Sequence, residues 1–319
     1  MGLLLVSTLA PSHLGSGDSV QPRDTEAVID SVAPALPSGV RVDIVGSDTF
    51  VRVRSTGHAV EVAGYEGEPY MRIAVDGTVE VNDGSMTSVL NGDRYGNVDV
   101  SQFSPTEQPV WRQVATNGTA MWHDHRSHWM SPKPPAAIDA SGKVQNFSIP
   151  LVVDGVATTV TGTLYLRDRA SAAWWLVGAA GMVVALVVAL LRRGAMWIVL
   201  GVVSVLGFIV GAQEWAGLPT GARVTPVLAI FTVASLLVVV VAVIVGRVRR
   251  AHLVPVMNAG AAAALLTAVW MCSDQVTAAY VPGVTPAWQA RVIIPLMLGT
   301  ALVALIDGVM SVTRRTPAA

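Results

Sequence analysis

Val40-Arg41-Val42-Asp43-Ile44, a Gly46-Ser47-Asp48 turn and Phe50-Val51-Arg52-Val53-Arg54 decide the fold of the first half of this chain. Apolar and charged residues alternate with a period of two, so successive side chains face a core and then water, as in a half-buried strand. Similar runs follow at Ala59–Val62, Tyr70–Val75, Thr78–Val81, Val98–Val100, Val110–Val114, Ala120–Asp124, Gln145–Val153 and Thr158–Leu166. Asp76-Gly77, Asn91-Gly92, Asn117-Gly118 and Asp154-Gly155 separate them. Such pairs suit tight hairpins because both residues tolerate positive φ. Many short strands with local turns predict an all-β, Ig-like or sandwich-type domain over residues 37–168, with no helix interrupting it.

The charges change abruptly after this region. Residues 13–172 hold 19 acids and 12 bases, whereas the remainder holds Glu214, Asp274 and Asp307 against nine arginines. Five apolar runs fill that remainder: Ala172–Leu191, Ala195–Gln213, Val224–Gly246, Val254–Cys272 and Val292–Val312. Each is near the ~20 residues that cross ~30 Å of hydrocarbon, so residues 172–313 are expected to form a five-helix transmembrane domain in a lipid bilayer. Arg192, Arg193, Arg247, Arg249, Arg250, Arg314 and Arg315 fall on one side and only Arg223 and Arg291 on the other. The positive-inside rule makes the first side cytoplasmic, with residues 314–319 a cytoplasmic tail and the β domain extracytoplasmic. A multi-pass plasma-membrane protein is the expectation. No basic field points to nucleic acid.

Upstream, the apolar run Leu3–Ala10 and Ala10-Pro11-Ser12 resemble the end of a signal peptide over residues 1–12, although a basic n-region is missing. Residues 13–36 are polar and turn-rich and read as a flexible tether. Cleavage after Ser12 would place His13 at the mature N-terminus, where its α-amine and imidazole together chelate copper. The single cysteine, Cys272, excludes an internal disulfide and any multi-cysteine metal site.

The densest chemical constellation is Trp122-His123-Asp124-His125-Arg126-Ser127-His128-Trp129-Met130, which holds half of the six histidines. On a strand, His123 and His125 share a face about 7 Å apart. Such a pair can close on copper or zinc, with His128 joining through a bend and Met130 as a soft ligand. The competing reading makes Asp124 and Arg126 an ion pair, with the cluster a structural keystone or a docking face for other envelope membrane proteins. Glu66 and Glu68, in a glycine-hinged turn, are further candidates for a cation or for acid–base work. Asp307 is the one acid expected well inside a helix, and such groups are functional candidates by default. No nucleophile with an oriented base, P-loop or dinucleotide fingerprint is present, so an enzyme is the less favoured class.

Gly67-Glu68-Pro69-Tyr70-Met71-Arg72-Ile73, Asn91-Gly92-Asp93-Arg94-Tyr95-Gly96 and the Trp-His-Asp-His-Arg-x-His-Trp-Met run resemble motifs of an uncharacterised family of actinobacterial membrane proteins. That resemblance covers residues 37–166 and implies an exported domain on C-terminal transmembrane helices, with no activity attached. At fold level alone, the layout is similar to copper-resistance proteins that join a β-sandwich copper binder to a membrane domain.

Overall fold

A computed structural model describes residues 23–104, 108–131, 133–191, 195–218, 223, 225–247, 253–281 and 285–313. The expected signal peptide, His13, the start of the tether, most of the arginine clusters and the C-terminal tail lie outside the described residues. The described residues divide into two compact units, one holding those within 25–166 and the other 23–24 with those within 167–218 and 225–313.

Among the described residues the first unit holds ten strands: β1 (Thr25–Ala33), β2 (Val40–Val45), β3 (Phe50–Ser55), β4 (Val60–Ala63), β5 (Pro69–Ile73), β6 (Val79–Asn82), β7 (Trp111–Ala115), β8 (Thr119–Trp122), β9 (Lys143–Val153) and β10 (Val156–Leu166). Seven form one antiparallel sheet in the order β1-β10-β9-β4-β5-β6-β7, and three form a second, β2-β3-β8. The predicted alternation is realised. Along β9, Phe147, Ile149, Leu151 and Val153 are buried while Ser148 and Pro150 are exposed. Asp154 and Gly155 both take positive φ (48° and 79°) and let Val153 pair directly with Val156 in a two-residue hairpin. Val51, Val53 and Trp122 of the small sheet meet Tyr70, Ile73, Val79 and Val81 of the large one in a common core. Trp122 sets its ring edge-on to Tyr70, centroids 6.3 Å apart.

Several boundaries differ from those expected. The tether ends early, because Thr25–Ala33 is strand β1 and pairs with β10 from Thr25↔Leu166 to Ala33↔Thr159. Thr25 and Ala27 point inward there, an alternation too weakly apolar to stand out in the sequence. A five-residue helix, α1 (Met86–Leu90), interrupts the strands. Asn91 ends that helix, so Asn91-Gly92 is not a hairpin turn. Val98–Val100 forms no strand, and β8 stops at Trp122, before the histidines.

The second unit holds α2 (Leu176–Leu191), entered by a 3-10 turn at Ala172–Trp175, then α3 (Met196–Ala216), α4 (Val227–Arg247), α5 (Val254–Cys272), a 3-10 turn at Ser273–Val276, and α6 (Ala287–Thr313). Among the described residues, five segments of 20–25 residues are long and apolar enough to span a membrane. Leu190, Leu191, Leu237 and Ile244 face outward, the arrangement expected where the solvent is lipid. Small residues set helix spacing, as is usual where packing rather than the hydrophobic effect drives association. A Cβ on Gly299 would lie 1.9 Å from the Gly178 carbonyl, so α2 and α6 touch backbone to backbone there. Residues 23 and 24 belong to this unit. Arg23 and Tyr280 exchange both main-chain hydrogen bonds (3.0 and 2.8 Å), and Asp24 accepts from the Ala279 amide at 2.9 Å.

Candidate metal centre

Trp122 is the last residue of β8, and its fully buried ring fixes where the following loop begins. The chain then turns within four residues. The Ser127 amide and hydroxyl both donate to the Asp124 carbonyl at 3.0 Å. The Asp124 carboxylate holds the turn from inside, accepting from the Arg126 amide (3.0 Å), Arg126 Nε (2.9 Å), Arg126 Nη2 (2.8 Å) and Trp122 Nε1 (2.8 Å). Burial pushes this carboxyl up, but the guanidinium and the indole N–H outweigh it and hold Asp124 below the usual carboxylate range.

That turn is the bend that His128 requires. It brings His128 back over His123 with ring centroids 4.1 Å apart, and His125 stands edge-on to both at 5.5 and 5.2 Å. One ring nitrogen from each histidine falls within 4.8 Å of the others. Four-coordinate binding with metal–nitrogen bonds of about 2.0–2.1 Å spaces ligands by roughly 3.3 Å, so a modest inward closure would bring the three nitrogens to that spacing. His123 and His128 are fully buried and His125 is partly exposed. The shared-strand-face geometry expected for His123 and His125 is therefore not the one used. A loop, not a strand, assembles the trio.

The outer partners fix the tautomers. His123 Nδ1 lies 2.8 Å from the Thr49 carbonyl, His125 Nε2 2.8 Å from the Asp93 carbonyl, and His128 Nδ1 2.9 Å from the Trp129 carbonyl. A carbonyl oxygen only accepts, so each of these nitrogens carries the proton. In the neutral ring the opposite nitrogen then keeps the lone pair: Nε2 of His123, Nδ1 of His125 and Nε2 of His128. Imidazoles oriented this way are the usual surroundings of a metal-binding histidine. Burial pushes the His125 imidazole below its ordinary value, partly offset by the Asp93 carbonyl, which favours the neutral form that binds metal.

Neighbouring loops hold these carbonyls in place. A buried pair, Arg94 and Asp48 at 3.6 Å, joins the loop that carries Asp93 to the turn that carries Thr49. Tyr65 stacks on His125 (5.8 Å, 17°), accepts from the His125 amide at 2.8 Å, donates to Asn91 Oδ1 and lies under the Arg126 guanidinium at 5.0 Å. Burial, with the Asp124 charge behind it, pushes the Tyr65 phenol well above its ordinary value, so it remains a neutral hydrogen-bonding strut.

Not every expected residue joins. Glu66 is exposed. Glu68 is buried and fully engaged, its Oε1 accepting from Ser85 Oγ (2.7 Å), Thr87 Oγ1 (2.7 Å) and the Thr87 amide (3.1 Å), and its Oε2 from the Glu66 amide (3.1 Å). Burial raises its pKa, but these bonds outweigh it and hold it low, so Glu68 anchors the start of α1. Met130 sits exposed at the rim. In the helical unit Asp307 is only half-buried, and it is not the sole acid within a helix: Glu214, near the end of α3, is 9 % exposed. Sequence reasoning missed Tyr65, Thr49 and Asp93 as supports. Tyr65 directly precedes Glu66 in the glycine-hinged turn, but nothing in a sequence marks a main-chain carbonyl as a histidine anchor. Compared with protein-family models, curated proteins and solved structures, the chain matches none.

Proposed function

We propose that this chain is a multi-pass cell-envelope membrane protein whose extracytoplasmic β domain binds a transition-metal ion, copper or zinc, through His123, His125 and His128. One observation carries the reading: one ring nitrogen from each of the three histidines lies within 4.8 Å of the others, in rings that main-chain carbonyls orient. Imidazole suits zinc and copper, and such histidine–carbonyl pairs raise ligand basicity and fix orientation. The placement outside the cytoplasm rests on the arginine bias of the loops and on the likeness to actinobacterial membrane proteins.

A second reading, the structural keystone, is favoured by a different observation, the buried Asp124–Arg126–Trp122 network. The two assign different residues. Asp124 and Arg126 shape the loop, and the histidines face the metal. Metal analysis of the full chain, purified in detergent after exposure to copper or zinc, tests the reading. Stoichiometric metal is expected, lost when His125 and His128 are both changed to alanine. A wild-type chain that retains neither metal refutes it.

A further inference from the structure

Two features of the histidine centre bear on which metal it holds, and both rest on the three-histidine reading above. The first is the gap at its open side. A carbon built on Gly96 would lie 3.3 Å from His125 Cε1, 3.6 Å from His125 Nδ1 and 3.5 Å from Met130 Cε. One small space is thus bounded by the nitrogen that keeps its lone pair and by the tip of a methionine. Gly96 takes φ +66°, and any side chain there would fill that space. Met130 is 39 % exposed, and its three rotatable bonds let the thioether swing in without moving the backbone.

The second feature is charge. The carboxylate nearest in sequence, Asp124, is fully buried, and both of its oxygens are engaged by Arg126. Its negative charge is therefore matched within the loop, and the ligand set consists of neutral imidazoles. Neutral imidazoles accept zinc(II) as well as copper(I), so the charge of the histidines does not choose between the two and the fourth donor does. Thioether sulfur is a soft donor that selects copper(I) and adds little for zinc.

We infer that Met130 Sδ completes the centre as a fourth ligand and tilts it toward copper(I) over zinc. Met130 is then the residue that sets metal selectivity, while the histidines supply most of the affinity.

The test uses the full chain in detergent, titrated anaerobically with copper(I) against a chromophoric chelator and separately with zinc(II). Loss of an outer-shell partner alone lowers metal affinity about 10–100-fold, so Met130→Leu should weaken copper(I) binding by at least about tenfold. Zinc affinity should change by less than about twofold, since the three imidazoles remain its ligands. X-ray absorption of the copper(I) form should show a sulfur scatterer in the wild type that disappears in Met130→Leu and persists in His125→Ala. Equal losses for both metals, or no sulfur shell in the wild type, would overturn the role of Met130. If the wild type binds copper(I), His123→Ala and His128→Ala abolish it and Met130→Leu does nothing, the histidine reading stands and this inference falls. If the wild type takes up neither metal, both fall.

Discussion

Replacing Asp124 by alanine separates the scaffold of the centre from its ligands. The carboxylate is fully buried and accepts one hydrogen bond from Trp122 and three from Arg126. Arg126 has a side-chain exposure of only 17 %. Without Asp124 the guanidinium stays largely desolvated with no counter-charge, a change that typically costs about 3–5 kcal/mol. The orphaned indole N–H of Trp122 adds about 1–3 kcal/mol if no water reaches it. Partial exposure lets Arg126 turn outward, so the lower end, about 3 kcal/mol, is the expected loss. The Asp124→Ala, Arg126→Met double variant should be more stable than Asp124→Ala alone, because the uncompensated charge has gone. Urea unfolding of residues 25–166, followed by tryptophan fluorescence, reads these differences. The folded-state pKa of Asp124 is depressed, so its contribution is fully present above the unfolded value of about 3.9 and is lost as pH falls through the lower folded value. The gap between wild type and Asp124→Ala should therefore be flat above about pH 5 and close in stronger acid. A loss below about 1 kcal/mol at pH 7, or a double variant no better than the single, would refute the claim that Asp124 neutralises a buried Arg126.

The remaining predictions concern the ligands, the sheet and the membrane. Because burial depresses the His125 pKa, protons should begin to displace metal only below about pH 6.5; half-release above pH 7 would count against a buried neutral ligand. A fragment beginning at residue 37 lacks β1 and leaves the β10 edge open, so it should melt lower or aggregate more than residues 25–166; equal melting temperatures would make β1 dispensable. Reporters fused after Arg193 or Arg250 should read cytoplasm and those after Gly217 or Pro282 the exterior, and an exterior signal after Arg250 would overturn the arginine-based orientation.

How much of this was legible in the sequence depends on the range of the interaction that decides each element. The β3, β9 and β10 strands and the Asp154-Gly155 hairpin follow from period and turn chemistry that lie within a few residues, and the structure reproduces them. So do the five helices, each long and apolar enough to cross a membrane. β1 was missed because its support comes from β10, more than 100 residues later, and its own Asp30 and Ser31 look like tether. α1 escaped for a similar reason. Its start is fixed by Glu68, which reaches it from the turn between β4 and β5 and which the sequence offered instead as a free acid.

The centre shows the same division. Three histidines in six residues are visible at once, but the strand geometry that seemed to align His123 with His125 ends at Trp122. What aligns them is Asp124, which forms a tight turn because its oxygens meet the Arg126 amide and guanidinium. The sequence set a metal site against a polar keystone as rivals. In three dimensions the two share one element, since the turn that buries the ion pair is the turn that returns His128 to His123. The anchors that orient the imidazoles, the carbonyls of Thr49 and Asp93, come from two loops joined by the buried Arg94–Asp48 pair. Breaking that distant pair should therefore loosen metal affinity without touching a ligand. A measured Arg94→Met affinity equal to that of the wild type would show that the carbonyl platform holds without it.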